Sequence, residues 1–296
     1  MRLSEIYASN RPVISVEFFP PRSPEGAADL AARIPEIAAL NPAFCSVTYG
    51  AGGSDRNRTL EWVHRVKHEF GQEVMCHLTC VGQSREEIEE VFDRLEADGV
   101  QNIIALRGDP PKGDATWQPH PGGYHYASEL VEATRRRGFS VAVAGFPEVH
   151  PESTCRDTDL KFLKQKVSAG ADAVITQLFF DNDDYFRYVE AARALGVTVP
   201  IVPGILPFRS EEELRRFTTK YARTASGPAR VPDNLEELVA ATGGDGERQV
   251  ALGVDWAVRQ CEELIRGGAP GIHFYCMNKS NMVEAIITRL RASGLL

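Results

Sequence analysis

The chain has 296 residues, 43% of them hydrophobic and 25% charged, which are ordinary values for a globular protein whose core needs no staples. Its 33 basic and 41 acidic residues leave a net charge of −8, which argues against nucleic acid or an anionic membrane surface as a partner. Cys45, Cys76, Cys80, Cys155, Cys261 and Cys276 form no CxxC pair and are expected to be reduced, mostly buried thiols of a cytoplasmic protein. The opening MRLSEIYASNRP has no apolar signal core, and no run approaches the roughly 18 apolar residues of a membrane span.

The first organised stretch is Val13-Ile14-Ser15-Val16-Glu17-Phe18-Phe19-Pro20-Pro21-Arg22. Strand residues run into a carboxylate and stop hard at two prolines. A carboxyl beside Phe18 and Phe19 would have a raised pKa and could donate a proton near neutral pH. A strand-end glutamate that faces water or pairs with Arg22 is the equal alternative. Further strands are predicted at 44–48, 74–79, 102–106, 140–145, 173–177, 200–202 and 271–275. Helical patterns lie at 26–40, 58–70, 84–98, 126–137, 158–169, 183–195 and 210–223. A longer one at 233–267 precedes the last strand, and 277–293 closes the chain. Ser84 and Glu87 have capping-box spacing, and Gly99, Gly138, Gly170, Gly196 and Gly267 stand where helices end before strands. Strict βα alternation means a parallel sheet, and eight strands in 296 residues predict an α/β (β/α)8 TIM barrel, one domain over 1–296. The loop-rich 225–232 patch, with 243–246, reads as an inserted segment.

Barrel chemistry sits at the C-terminal strand ends, and here those ends are polar. They carry Glu17, the Thr48-Tyr49-Gly50-Ala51-Gly52-Gly53 stretch, His77 with Thr79, and Arg107-Gly108-Asp109-Pro110-Pro111. Pro147-Glu148-Val149-His150, Gln177, and His273 with Tyr275 continue the rim, while the seventh exit offers only Pro203-Gly204. Any one of these has a bland reading: strand histidines are usually core residues, and Arg107 and Asp109 could pair within a turn. Seven polar exits of eight point to a site at that rim. No P-loop and no GxGxxG after a strand is present. Strand His-x-His clusters are also missing, so no catalytic metal is expected. Glu17 and Asp109 stand on strands that face each other across an eight-stranded ring, where a substrate could lie between them.

Val16-Glu-Phe-Phe-Pro-Pro-Arg22, Ser46-Val-Thr-Tyr-Gly-Ala51, His77-Leu-Thr-Cys80 and Ala105-Leu-Arg-Gly-Asp109 occur in order. They are followed by Pro147-Glu-Val-His-Pro-Glu152, Ile175-Thr-Gln-Leu-Phe-Phe-Asp181, Pro203-Gly-Ile-Leu-Pro207 and His273-Phe-Tyr-Cys-Met-Asn278. Together these motifs resemble the methylenetetrahydrofolate reductase family over essentially the whole chain. The resemblance implies a (β/α)8 flavoprotein enzyme of one-carbon metabolism. Its reaction would reduce 5,10-methylenetetrahydrofolate to 5-methyltetrahydrofolate with NAD(P)H, by ping-pong hydride transfer through the N5 of FAD. It implies a cytoplasmic homo-oligomer.

By the same resemblance, Glu17 would be the general acid that opens the folate ring, and Asp109 would hydrogen-bond the pterin and tune the flavin. Cofactor contacts would be Thr48, His77, Arg107, Gly108, Asp109, Tyr126, Ala127, His150, Asp159 and Lys166. Substrate contacts would be Glu17, Tyr49, Gln177, Tyr185, Phe217 and Lys279. Asp159 and Lys166, seven apart, share a helix face, whereas Lys161, Lys164 and Lys166 cannot all face the site. The chain departs from bacterial members at Phe162 and Gln165, where Asn and Arg are frequent, and has Lys279 where Arg is common. No region corresponding to the S-adenosylmethionine-binding domain of eukaryotic relatives follows the barrel, so no such inhibition is expected. The alternatives are a folate- or flavin-binding module without catalysis, and a flavin-free barrel that transfers methyl groups.

Overall fold

The computed structural model describes residues 1–9, 11–49, 56–109, 117–219 and 229–296. Glycines 52 and 53 with their neighbours, prolines 110 and 111, and the first half of the 225–232 patch lie outside the described residues. The elements are α1 (Leu3–Ile6), β1 (Val13–Phe18), α2 (Pro24–Ala38), β2 (Phe44–Val47), α3 (Arg56–His68), β3 (Val74–Thr79) and α4 (Arg85–Ala97). Next come β4 (Asn102–Leu106), α5 (Ala127–Arg136), β5 (Ser140–Gly145), α6 (Arg156–Ser168), β6 (Ala173–Thr176) and α7 (Asn182–Ala194). The rest are β7 (Ile201–Val202), β8 (Gly204–Ile205), α8 (Glu211–Thr219), α9 (Asp233–Ala241), α10 (Gly246–Arg266), β9 (Gly271–Tyr275) and α11 (Asn281–Ala292).

Every strand pairing is parallel, in the order β7-β6-β5-β4-β3-β2-β1-β9-β8. The predicted seventh strand is β7, which pairs with β6, and the expected Pro203-Gly204 turn instead leads straight into β8, an unpredicted strand that pairs with β9. The two sheet edges therefore meet within one short run of chain, and the sheet all but closes into the expected barrel. Proline has no N–H to give a ladder. Its carbonyl still accepts from His273 N–H at 3.0 Å, and Gly204 N–H donates to Thr176 Oγ1 at 3.0 Å. A Cβ on Gly204 would lie 2.3 Å from the Thr176 carbonyl oxygen, so only glycine fits this seam.

Strand alternation sorts the side chains into two layers. Ile14, Val16, Phe18, Val47, Leu78 and Ile103 point outward into the large core under the helices. Val13, Phe44, Met75, Ile104, Ala142, Ala173, Ile175 and Val202 fill the lower barrel interior. Leu3 and Ile6 of α1 join that inner cluster, and Leu3 N–H donates to Asn102 Oδ1 at 3.0 Å. This short helix, absent from the sequence expectation, plugs the barrel floor.

The Ser84–Glu87 capping box forms as expected, with reciprocal bonds of 3.2 and 2.9 Å. Gly99, Gly138, Gly170 and Gly196 take positive φ, but at the last such junction the residue that does so is Gly268, not Gly267. The long helix expected at 233–267 is two, because Gly243 and Gly244 turn left-handed (φ 62° and 81°) and Asp245 caps a fresh start.

Candidate active site

Above the apolar floor the same inward positions become polar. On β1, Val13 is followed by Ser15 and then Glu17; on β9, His273 is followed by Tyr275; on β3, Met75 is followed by His77 and Thr79. Glu17 is 6% exposed, and its Oε2 lies 3.2 Å from His77 Nε2 and 3.7 Å from His273 Nε2. Ser15 Oγ holds the far ring nitrogen of His273, Nδ1, at 2.8 Å. Two imidazoles from opposite sides thus share one carboxylate oxygen.

This overturns the expected setting of Glu17. Phe18 is the next residue along a strand, so it points out into the helix-facing core and does not line the carboxyl. Burial pushes the Glu17 carboxyl up, but hydrogen bonding from His273 and the charges of both imidazoles outweigh it and bring the group down to about 2. The carboxyl is held ionised, not protonated, in this arrangement. His273, counted in the polar rim beside the bland reading of a core histidine, was given no role by sequence reasoning. Only the parallel register, Ser15 opposite His273 and Glu17 opposite Tyr275, brings it there.

The loop after β1 is clamped by the exit of β9. The Asn278 side chain accepts from Phe19 N–H and donates to the Phe19 carbonyl, both at 2.8 Å. Cys276 Sγ donates to the Glu17 carbonyl at 3.1 Å. Met277 and Asn278 both take left-handed φ, 52° and 58°, to present these groups.

Gly108 (φ 89°) ends the fourth exit, and a Cβ there would meet Val81 Cγ1 at 2.5 Å. Arg107 forms a two-pronged bond to Glu152 (2.6 and 2.8 Å) and lies over the Trp117 ring, so its ion pair is not with Asp109. Asp109 is half-buried beside it. In the fifth exit, burial and the Arg107 charge bring His150 down to about 4, which keeps it neutral at physiological pH. Val149, a β-branched residue at φ 76°, separates it from Glu148. Burial pushes Glu148 up to about 7, and its Oε1 has no partner among the described residues. Glu148 belongs to the recognised motif, yet sequence reasoning assigned it nothing.

On α6, Asp159 is buried and Lys166 is half-buried, its Nζ donating to the Ala144 carbonyl at 2.5 Å. Burial brings Lys166 down to about 8, against the pull of Asp159. Lys161 is exposed and Lys164 turns to the Gly196 carbonyl, so of the three lysines only Lys166 faces inward. Phe162 and Gln165 face solvent. Thr48 is buried at the second exit, while Tyr126 is 62% exposed and, with Ala127, begins α5. Gln177 continues β6 through its N–H to the Gly145 carbonyl.

Two expected substrate contacts sit elsewhere. Tyr49 packs in the outer core with its hydroxyl on Gln83 (3.1 Å). Tyr185 stacks on Phe179 and donates to the Ile201 carbonyl at 2.8 Å, so its polar end is already used in packing α7 onto the barrel. Phe217 is buried on α8. Lys279 is exposed and lines a small cleft with Tyr275, Arg209 and Glu213.

A family model described as methylenetetrahydrofolate reductase matches residues 2–291. A rice protein named probable methylenetetrahydrofolate reductase (NADH) is 36% identical over 302 residues, covering 98% of this chain but 50% of its own. A Pectobacterium carotovorum 5,10-methylenetetrahydrofolate reductase is 37% identical over 276 residues, covering 92% of this chain and 88% of its own. The chain thus spans about half the length of the plant relatives it matches. Among solved structures, a Clostridium thermocellum protein described as binding two copies of 5-methyl-5,6,7,8-tetrahydrofolic acid superposes with a TM-score of 0.61. It is 14% identical and covers 96% of this chain and 95% of its own, a likeness of fold alone. On the family match and these identities, the chain belongs to the methylenetetrahydrofolate reductase family.

Proposed function

We infer that this protein reduces 5,10-methylenetetrahydrofolate to 5-methyltetrahydrofolate with NAD(P)H, using bound FAD. The observation that carries the reading is the buried Glu17–His77–His273 trio at the strand exits of a chain in this family. A site that only held folate would need no proton donor, which disfavours a binding module without catalysis.

The residues of the rim fit a flavin nucleotide. Buried polar atoms are nearly always bonded, yet Thr79 Oγ1, Ser46 Oγ and Trp117 Nε1 have no hydrogen-bond partner among the described residues. Gly108 lets backbone approach where any Cβ would collide. Lys166 has no carboxylate within ion-pair distance among the described residues, so a phosphate would relieve the cost of burying it. Arg107, His150 and Asp159 surround the same α6 edge, with Thr48, Asp109, Tyr126 and Ala127 completing the set. When bound, FAD supplies hydride acceptance from NAD(P)H and hydride delivery to the one-carbon unit, two half-reactions at one site and hence ping-pong kinetics.

The chain's own task is the proton. Ring opening of the folate needs an acid, and a carboxyl held near 2 carries no proton at neutral pH. The donor is therefore the trio: a proton held among His77, His273 and Glu17 passes to the substrate through Glu17. Asp109 accepts from the pterin, and Gln177, Phe217 and Lys279 orient substrate around the same mouth. The rice relative's NADH label favours NADH as donor. Purified protein should show a flavin spectrum that NADH bleaches anaerobically and methylenetetrahydrofolate restores. Colourless protein that takes up no flavin, or turnover of methylenetetrahydrofolate without any, would sink this reading in favour of a flavin-free barrel.

A further inference from the structure

The floor end of the barrel, away from the strand exits, carries a second cluster of ligand-type side chains. His64 and His68 are four apart on α3, so they share a face of its last two turns, with ring centroids 4.7 Å apart. Asp98, the C-cap of α4, comes to meet them. His64 Nδ1 lies 3.0 Å from Asp98 Oδ1, and His68 Nε2 lies 3.1 Å from the Asp98 carbonyl oxygen. One ligand atom from each side chain falls within 4.8 Å of the other two. Both histidines are exposed and Asp98 is half-buried, so solvent reaches the cluster.

We propose that His64, His68 and Asp98 form a surface site for a divalent transition cation of the zinc type. Two imidazoles and one carboxylate are the borderline donors such ions prefer over magnesium or calcium, and water would fill the remaining positions. Donors on a tetrahedral zinc stand roughly 3.4 Å apart. The 3.0 Å gap between His64 and Asp98 therefore needs only a small opening for the metal to replace the shared proton. The location favours a cation, because the negative ends of the α3 and α4 dipoles converge there. Among the described residues the neighbouring cations are engaged elsewhere: Lys67 turns to Glu73 (4.0 Å), Arg65 to Glu69 (2.9 Å) and Arg94 to Asn57 (3.1 Å). Asp98 has His64 as its ion-pair partner. The bound ion would staple the C-terminal ends of two neighbouring outer helices and leave the opposite rim untouched. The His-x₃-His spacing lies on a helix, outside the strand pattern His-x-His that the sequence lacks.

The test is equilibrium dialysis of tag-free, metal-stripped holoenzyme against zinc chloride, with metal quantified by mass spectrometry and thermal unfolding recorded in parallel. The expected result is about one zinc per chain and a raised Tm, both lost in His64→Gln/His68→Gln and in Asp98→Asn, with reductase turnover unchanged. Exposed Cys155 is the rival zinc ligand, so Cys155→Ser is measured beside them. Wild-type protein that takes up no zinc would overturn the proposal. So would uptake that survives in the double histidine variant or disappears in Cys155→Ser.

Discussion

The lower and upper halves of the barrel interior are built by the same strands and are opposite in character. Below, Val13, Phe44, Met75 and Ile104 pack against one another and against the α1 plug, a dry floor that fixes the ring. Two residues further along the first three of these strands, Ser15, Ser46 and His77 stand in the same inward column, and Glu17 stands above them. The floor satisfies itself through apolar contact. The upper half does not: it holds a carboxylate between two histidines and several buried polar atoms with no partner among the described residues. Stability is thus concentrated at one end, and the other end keeps groups whose needs a ligand can meet.

The largest expected effect breaks the upper half alone. Glu17→Gln should lower methylenetetrahydrofolate reduction by about 10²–10⁴-fold, the usual weight of a general acid, while stopped-flow flavin reduction by NADH stays near wild type. Equal loss in both half-reactions would make Glu17 a structural residue. Leu3→Ala should do the converse. It removes a fully buried side chain from the floor plug, so urea unfolding should show a loss of about 2–5 kcal/mol, with kcat per folded molecule little changed.

Smaller effects sharpen the boundary. Asn278→Ala leaves the Phe19 N–H and carbonyl without their side-chain partner and should cost about 1–3 kcal/mol, with a rise in KM for folate as the Glu17 loop loosens. Lys166→Met removes a cation that burial already disfavours. The apo protein should melt about 1–3 °C higher in calorimetry, while FAD dissociates more readily, a stability gain at the expense of the site. The pH dependence is subtler. Because the folded value of Glu17 is lowered from 4.5 to about 2, its contribution to stability is complete above about 4.5 and is lost as pH falls toward about 2. Acid unfolding followed by circular dichroism should show wild type and Glu17→Gln converging across that window. Parallel curves would mean that the imidazoles do not hold the carboxylate.

Much of this fold was legible beforehand because its signals are local. The period-2 runs, the capping box at Ser84 and the glycines at 99, 138, 170 and 196 act through nearest neighbours, and all appear where expected. The errors have equally local causes. Four residues of α1 are too few to show a period, and the Pro203-Gly204 pair reads as a turn although Gly204 and Ile205 form a two-residue strand. The polar strand exits were legible in the sequence, and the recognised motifs supplied the proposal of which residues line a site there. Tyr185 shows the limit: a motif can carry a residue into the right neighbourhood, but a hydroxyl spent on the Ile201 carbonyl belongs to the packing.

By itself the sequence determined the barrel class, the polar rim and the identity of Glu17 as a residue to watch. Each follows from composition, periodicity or a short motif. Only the tertiary structure decided the protonation state of that carboxyl. Its nearest neighbour in the chain, Phe18, points away because strands alternate. The groups that govern it, His77 and His273, are brought in from the third strand and the last by parallel register. The reason is physical: a charge responds to what lies within a few ångströms, and in a barrel those neighbours are set by strand pairing across the whole chain.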